Sequence, residues 1–256
     1  MVPLRGILFD FGHTLVDWVW DQVMASLQEA YREHRSYLES LGVANLMPAD
    51  ELMDVIALRM YQELDASYER RDLTERDFAE TFRRYLRLAG IDLPPEAFQE
   101  LLRREHAAIC QGTVLPPASL EALEELRRRG YRLGMVSNMD LLLDIMRLDP
   151  PVRHLGGLIP VKVLSSGVGL RKPHPRIYEA ALEELGLPSE AVLFVGDRVL
   201  EDIRTPKALG VRAAVLSHEF RQEEDLACEA DATVRALPDL VPLLEQWPNG
   251  GHPNQY

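Results

Sequence analysis

Short apolar segments alternate with helix-like segments through the second half of the chain, and this alternation strongly constrains the fold. The apolar segments are 132–138, 158–164, 191–197 and 211–217. The predicted helices are 118–129, 140–147 and 175–185, with a short one that ends near Gly210. Residues 4–10, LRGILFD, add a first strand. Strands that alternate with helices form parallel β-α units, so the pattern predicts an α/β fold.

A block of helical character interrupts this pattern directly after the first strand. Its predicted helices are 18–41, 49–70, 75–89 and 95–109, and no β-branched alternation breaks them. An insertion of this kind predicts a second domain. We expect an α/β core of residues 1–16 and 112–246, an all-helical domain of residues 17–111, and a loose tail of residues 247–256.

Composition and charge narrow the classes of partner. The chain of 256 residues carries 28 basic and 41 acidic side chains, a formal net charge of −13. Nucleic acids and anionic membranes bind basic surfaces, so we expect neither as a partner. No apolar stretch approaches the ~20 residues of a membrane span, and the N-terminus does not resemble a signal peptide. Cys110 and Cys228 lie outside any metal-binding spacing, so we expect buried packing residues and a reducing, cytoplasmic compartment.

Polar side chains stand where the predicted strands and loops end. They are Asp10, Ser137, Asn138, Lys172, Asp197 and Asp202. The carboxyl ends of parallel strands line the ligand site of an open sheet, so we expect these side chains to converge. Lys172 is one of only three lysines in the chain, so chance is a weaker explanation for a lysine at this position.

Each of these residues also has a plain structural interpretation. The two strand-end aspartates can be turn residues, and Lys172 can be an exposed lysine. Ser137 and Asn138 can cap predicted helix 140–147, and Asp202 can cap the short helix after it. The residues by themselves leave these interpretations open.

In order and spacing, the segments FDFGHTL, MVSN, RKPHPRIY and GDRVLED resemble the four motifs of the haloacid dehalogenase superfamily. The resemblance covers about residues 1–16 and 112–240, and the helical insertion looks like that family's C1-type cap. It implies a Rossmann-like parallel sheet and a magnesium-dependent hydrolase of small phosphorylated metabolites. We expect such an enzyme to form an aspartyl-phosphate and to be a monomer or a homodimer.

The resemblance assigns the nucleophile and the metal ligands. Asp10 would attack phosphorus and form the aspartyl-phosphate. The family pattern places Mg²⁺ on the Asp10 side chain, the Gly12 backbone carbonyl and the Asp197 side chain. Asp202 would complete or orient this acidic cluster. Hard oxygen ligands of this kind suit magnesium.

The resemblance also assigns the groups that bind phosphate. Ser137 and the backbone amide of Asn138 would hold phosphate oxygens. Lys172 would offset negative charge on both the nucleophile and the transferring phosphoryl group, which is the electrostatic help that phosphoryl transfer needs.

The first motif departs from the family's usual DxDxT, because Gly12 replaces the second carboxylate. In family phosphatases that residue protonates the leaving oxygen, and losing such an acid/base costs roughly 10²–10⁴ in rate. His13 is a candidate to supply the proton. One alternative is a catalytically impaired module that binds a phosphorylated ligand or partner.

Two other reactions of the family remain as further alternatives. Cleavage of a carbon–phosphorus bond uses a lysine in the cap, and residues 17–111 contain none. Cleavage of a carbon–halogen bond occurs in relatives without the GDxxxxD acid pair, which this chain carries at Asp197 and Asp202. The sequence therefore favours phosphate ester hydrolysis.

Overall fold

The computed structural model describes residues 2–69, 72–138, 150–216 and 230–247. The chain divides into an α/β unit and a helical unit. The α/β unit comprises Met1–Asp17, Val114–Met139 and Pro150–Tyr256, and the helical unit comprises Trp18–Thr113 and Asp140–Asp149. Predicted helix 140–147, Cys228 and residues 248–256 of the predicted tail lie outside the described residues. Trp247, which the sequence assigned to the loose tail, is buried, so that prediction is wrong at its first residue.

The described residues of the α/β unit form a six-stranded parallel sheet. The strands of the described residues are, in chain order, β1 (Gly6–Phe9), β2 (Asp17–Trp18), β3 (Thr113–Val114), β4 (Arg132–Ser137), β5 (Val161–Leu164), β6 (Val192–Gly196), β7 (Arg212–Leu216) and β8 (Ala232–Val234). The sheet order is β5-β4-β1-β6-β7-β8, and β2 pairs separately with β3. The parallel α/β prediction is thus confirmed, although the sequence did not predict β8.

The centre of the sheet is fully covered by protein. Gly6 of β1 aligns with Arg132 of β4 on one side and with Val192 of β6 on the other. All residues of β1 and β6 are buried, as expected for parallel strands with helices on both faces. Side chains that follow these strands therefore sit on a rigid base.

Helices of the α/β unit follow most of the predicted pattern. They are Pro117–Arg128, Pro150–Leu158, Ser165–Val168, Pro175–Leu185, Thr205–Ala208 and Leu240–Gln246, with a π-helical segment at Val199–Arg204. The predicted helices 118–129 and 175–185 are confirmed to within one residue. The apolar segment 158–164 forms a strand only from Val161, because its first residue ends a helix that the sequence did not predict.

The helical unit contains the long helices that the sequence predicted. They are Trp20–Ser40, a continuous run of Ala49–Met53, π-helical Asp54–Leu58 and Arg59–Glu69, then Phe78–Leu88 and Pro95–Cys110. The third predicted helix begins at Phe78 rather than at residue 75, because Asp77 accepts a hydrogen bond from the Glu80 amide and caps it. Cys110 is buried, as predicted. Among the described residues, no helix combines the length and apolar character that a membrane crossing requires.

Candidate active site

Adjacent strands bring three of the predicted side chains to one edge of the sheet. Asp10 directly follows β1, Asp197 directly follows β6, and Ser137 is the last residue of β4. The Asp10 amide donates to the carbonyl of Val195 at 2.9 Å, which continues the β1–β6 ladder to Asp10. All three side chains are buried. Strand register thus fixes their backbones before any ligand binds.

Asn138 holds the Lys172 loop in place from the neighbouring strand end. Its side-chain Oδ1 accepts from the Lys172 amide at 2.6 Å, and its Nδ2 donates to the Lys172 carbonyl at 3.0 Å. This amide grips one residue through both of its backbone polar groups. The sequence predicted a role for the backbone of Asn138; the side-chain clamp was missed, because nothing in the sequence pairs residues 34 positions apart.

The ammonium group of Lys172 lies between two of the carboxylates. Its Nζ donates to Asp10 Oδ1 at 2.6 Å and to Asp202 Oδ1 at 2.8 Å. The Lys172 side chain is only 2% exposed, so these ion pairs are shielded from water. Burial by itself lowers the pKa of Lys172, but the charges of Asp10 and Asp202 outweigh it and raise that pKa well above its ordinary value. Lys172 is therefore a buried, charged residue.

Asp202 organises the neighbourhood of Asp197. Its Oδ2 accepts from the amide of Asp197 at 3.1 Å and from the amide of Arg198 at 2.9 Å. A Cβ on Gly196 would lie 2.4 Å from Asp202 Cγ, so only glycine leaves room for this carboxylate. With the Lys172 bond to Oδ1, the carboxylate accepts three hydrogen bonds. Of the two predicted roles of Asp202, orienting the cluster is the one that this geometry favours.

The acidic cluster fits a divalent cation. Asp10, Asp197 and Asp202 each offer an oxygen within 4.8 Å of the others, and all three residues are buried. Burial raises the pKa of Asp10, with Lys172 opposing and the charge of Asp197 adding to the effect. The three carboxyl groups offer hard oxygen donors, which Mg²⁺ prefers, so the residues present suit that ion.

Residues 11–17 form a tight turn after Asp10. Gly12 bridges to Val16, and the amides of Leu15 and Val16 donate to the carbonyl of Phe11. His13 has φ of +55°, a left-handed conformation that is uncommon for a residue with a side chain. Its Nδ1 lies 3.6 Å from Asp17 Oδ1, and both side chains are more than a third exposed. The turn thus directs His13 toward Asp17.

Comparisons with known proteins identify the family of the chain. The model of the haloacid dehalogenase-like hydrolases matches residues 4–210. Phosphatase MT3486 of Mycobacterium tuberculosis is 31% identical over 155 residues, which are 60% of this chain and 66% of that protein. The phosphoglycolate phosphatase of Salmonella typhimurium is 27% identical over 94% of this chain and 92% of its own length. The chain therefore spans slightly less than two thirds of the first relative and nearly all of the second.

Solved structures show the same fold. The 2-haloacid dehalogenase of Pseudomonas syringae pv. Tomato DC3000 superposes with a TM-score of 0.66 over 96% of this chain and 100% of its own, at 22% identity. Such a likeness concerns architecture and does not separate one reaction from another. The family match spans most of the chain, and the polar groups of its α/β unit converge at the strand ends. The chain belongs to the haloacid dehalogenase-like hydrolases.

Proposed function

We propose that this protein is a phosphatase that hydrolyses small phosphorylated metabolites through an aspartyl-phosphate at Asp10. One observation carries the proposal. The Asp10 carboxylate follows the central strand and lies 2.6 Å from a buried ammonium, beside two further buried carboxylates. The adjacent ammonium favours the ionised form of Asp10, which is the form that can attack phosphorus.

In the first step, a carboxylate oxygen of Asp10 forms a bond to phosphorus, and the bond from phosphorus to the ester oxygen breaks. The alcohol leaves after it gains a proton. In the second step, water attacks phosphorus, the bond to Asp10 breaks, and inorganic phosphate leaves. Lys172 offsets the charge that collects on the phosphoryl oxygens in both steps. Ser137 and the backbone amide of Asn138 supply hydrogen-bond donors at the adjacent strand end.

Magnesium is the cofactor in this proposal. Asp10, the Gly12 carbonyl and Asp197 would hold the ion, and Asp202 would orient Asp197 and Lys172 around it. When bound, the ion offsets the negative charge of carboxylate and phosphate so that they can approach each other. The support is the set of three buried carboxyl groups whose oxygens lie within 4.8 Å of one another, since such hard oxygen donors suit Mg²⁺.

The relatives support a small phosphorylated metabolite as substrate, since they include a phosphatase named for phosphoglycolate. The family resemblance supports the helical unit as a C1-type cap. The acidic composition and the two cysteines support an enzyme of the cytoplasm that binds neither nucleic acid nor membranes. A monomer or homodimer remains the expected assembly.

Turnover of a generic aryl phosphate with Mg²⁺ tests the proposal. We expect Asp10→Asn to reduce turnover by at least about 10³-fold, because an amide is a poor nucleophile. Asp21→Asn, at an exposed aspartate of the helical unit, is the matched control and should retain full turnover. Circular dichroism checks that the Asp10 variant is folded. Equal turnover of the Asp10 variant and the wild type would overturn the proposal.

The absence of a carboxylate at Gly12 favours one second candidate, a module that binds a phosphorylated ligand with little turnover. Thermal shift with Mg²⁺ and a metal-fluoride phosphate mimic detects binding in either case, and turnover separates the two. In the phosphatase, His13 is the candidate for the leaving-group proton, although its imidazole lies toward Asp17. If only the acid is missing, Gly12→Asp should raise turnover, by as much as the roughly 10²–10⁴-fold that a positioned acid/base contributes. No response would favour the binding module or another reaction.

A further inference from the structure

A second buried polar cluster lies inside the helical unit, where the proposed phosphatase chemistry does not use it. Tyr31 and His34 come from helix Trp20–Ser40, Tyr61 from helix Arg59–Glu69, and Glu105 from helix Pro95–Cys110. Glu105 is 0% exposed, Tyr31 1% and His34 2%. The rings of Tyr31 and His34 pack edge to face with centroids 4.9 Å apart. Three helices therefore converge on one carboxyl group.

The polar atoms of this cluster lie near each other but outside regular hydrogen-bond geometry. Both carboxyl oxygens of Glu105, both tyrosine hydroxyls and His34 Nε2 are buried, and among the described residues none of them has a partner in that geometry. The hydroxyls of Tyr31 and Tyr61 face the carboxyl group, and His34 Nδ1 lies 3.8 Å from Glu105 Oε2. No lysine or arginine of the described residues forms an ion pair with Glu105. A bare carboxylate would be very costly in this place.

We propose that Glu105 and His34 form a buried site that binds one proton, which resides on the Glu105 carboxyl group and faces the imidazole. The donor and acceptor inventory supports this arrangement. A protonated carboxyl group has one O–H to donate and one carbonyl oxygen to accept, and a neutral imidazole has one nitrogen that accepts. The hydroxyls of Tyr31 and Tyr61 are the donors that face the carboxyl oxygens. One proton on Glu105 therefore leaves the site without any buried charge.

The electrostatics of the neighbouring groups agree with this geometry. Burial raises the pKa of Glu105 to about 8, and the hydroxyls of Tyr31 and Tyr61 oppose this effect. Burial lowers the pKa of His34 to about 4, and the positive charge of Arg104 adds to it. Arg104 itself bonds to Glu100 at 2.7 Å. Between these two values the site holds a single proton.

The site links the stability of the helical unit to pH. Glu105 has a raised pKa in the folded chain, so its proton stabilises the folded state fully below about pH 4.5, its ordinary value. That stabilisation declines as pH rises through about 8. The helical unit thus becomes weaker in mildly alkaline solution for a reason that is separate from Asp10 and from any phosphatase activity.

Glu105→Gln tests the proposal, because the amide resembles a carboxyl group that cannot lose its proton. Native-state amide exchange in helices Trp20–Ser40 and Pro95–Cys110 of the full chain measures local opening at each pH. Relative to wild type, the variant should gain protection by about tenfold per pH unit between about pH 5 and 8, and the gain should level off above. Glu96→Gln, at an exposed glutamate of the same helix, should show a difference that does not change with pH.

Carboxyl and imidazole resonances of the wild type give a second measurement that does not depend on any variant. At pH 6.5 we expect Glu105 to show the carboxyl shift of the protonated form and His34 to show a neutral imidazole. A constant difference between wild type and Glu105→Gln across pH 5–9 would overturn the proposal. So would a charged imidazole of His34 with an ionised Glu105.

Discussion

The α/β unit and the helical unit each bury carboxyl groups, but with different partners. In the α/β unit, Asp10 and Asp202 lie 2.6 and 2.8 Å from the ammonium of Lys172. In the helical unit, Glu105 lies 3.8 Å from His34 and has no lysine or arginine ion pair among the described residues. The first cluster has a buried cation that favours ionised carboxyl groups, whereas the second has none among the described residues and, in our proposal, holds a proton.

This difference separates the carboxyl group that we propose as the nucleophile from a structural one. Burial raises the pKa of Asp10 as it raises that of Glu105, so burial alone identifies neither role. The presence of a cation decides whether the group stays ionised and can attack phosphorus. A pair of this kind is costly to break, because removing one partner leaves the other as an uncompensated buried charge.

Removal of the buried cation should cause the largest loss of stability. Lys172→Met leaves the carboxylates without their compensating charge, and we expect it to lower the free energy of unfolding by about 3–5 kcal/mol. Urea unfolding followed by circular dichroism measures this loss. Lys162→Met, at a half-buried lysine whose ammonium group donates to the carbonyl of Ile159, is the matched control. Equal stability of the two variants would show that Lys172 carries no buried pair.

Protonation of the neutral cluster should produce the next largest effect. The folded pKa of His34 is about 4 and its ordinary value is 6.5, so stability is present above pH 6.5 and lost as pH falls through 4. This pKa difference corresponds to up to about 3 kcal/mol of the free energy of unfolding. His34→Asn should remove this loss when acid unfolding is compared with wild type. His154→Asn, at an exposed histidine, is the control. If the acid-unfolding curves of the two variants had the same pH dependence, His34 would not be a buried neutral group.

Filling the space beside Asp202 should cause an intermediate loss of stability. Gly196→Ala places a methyl group about 2.4 Å from the Asp202 carboxyl carbon, and such overpacking costs about 1–3 kcal/mol. Turnover should also fall, because Asp202 orients both Lys172 and the backbone of Asp197. Gly157→Ala, where a Cβ meets nothing within 4 Å, should be neutral in both measurements. Wild-type stability and turnover in the Gly196 variant would contradict the assigned role of Asp202.

Loss of the Asn138 clamp should have the smallest effect on stability. Asn138→Ala removes two hydrogen bonds to the Lys172 backbone, each worth about 0.5–1.5 kcal/mol. We expect thermal unfolding at lower temperature and lower kcat for an aryl phosphate, because the ammonium is less well placed. An unchanged kcat would show that strand register and packing alone position Lys172.

The sequence predicted those parts of the molecule that follow from pattern. Apolar strands and their terminal polar residues predicted the parallel sheet and the convergence of Asp10, Asp197 and Lys172. Strand β8 has three residues at the sheet edge, too few for a pattern. Glu105 lies in a helix that was correctly predicted, but acidic residues are rarely fully buried, so periodicity assigns them to solvent. Contacts between distant residues, such as Asn138 with Lys172, have no local signal at all.

The most direct test of the central claim is whether a phosphoryl group becomes attached to Asp10 during turnover. The wild type is mixed with an aryl phosphate and Mg²⁺, quenched in acid, digested, and its peptides are mapped by mass spectrometry. We predict a phosphoryl group on the peptide that contains Asp10, and none in the Asp10→Asn variant treated in the same way. Turnover without phosphorylation of Asp10, or phosphorylation at another residue, would contradict the account.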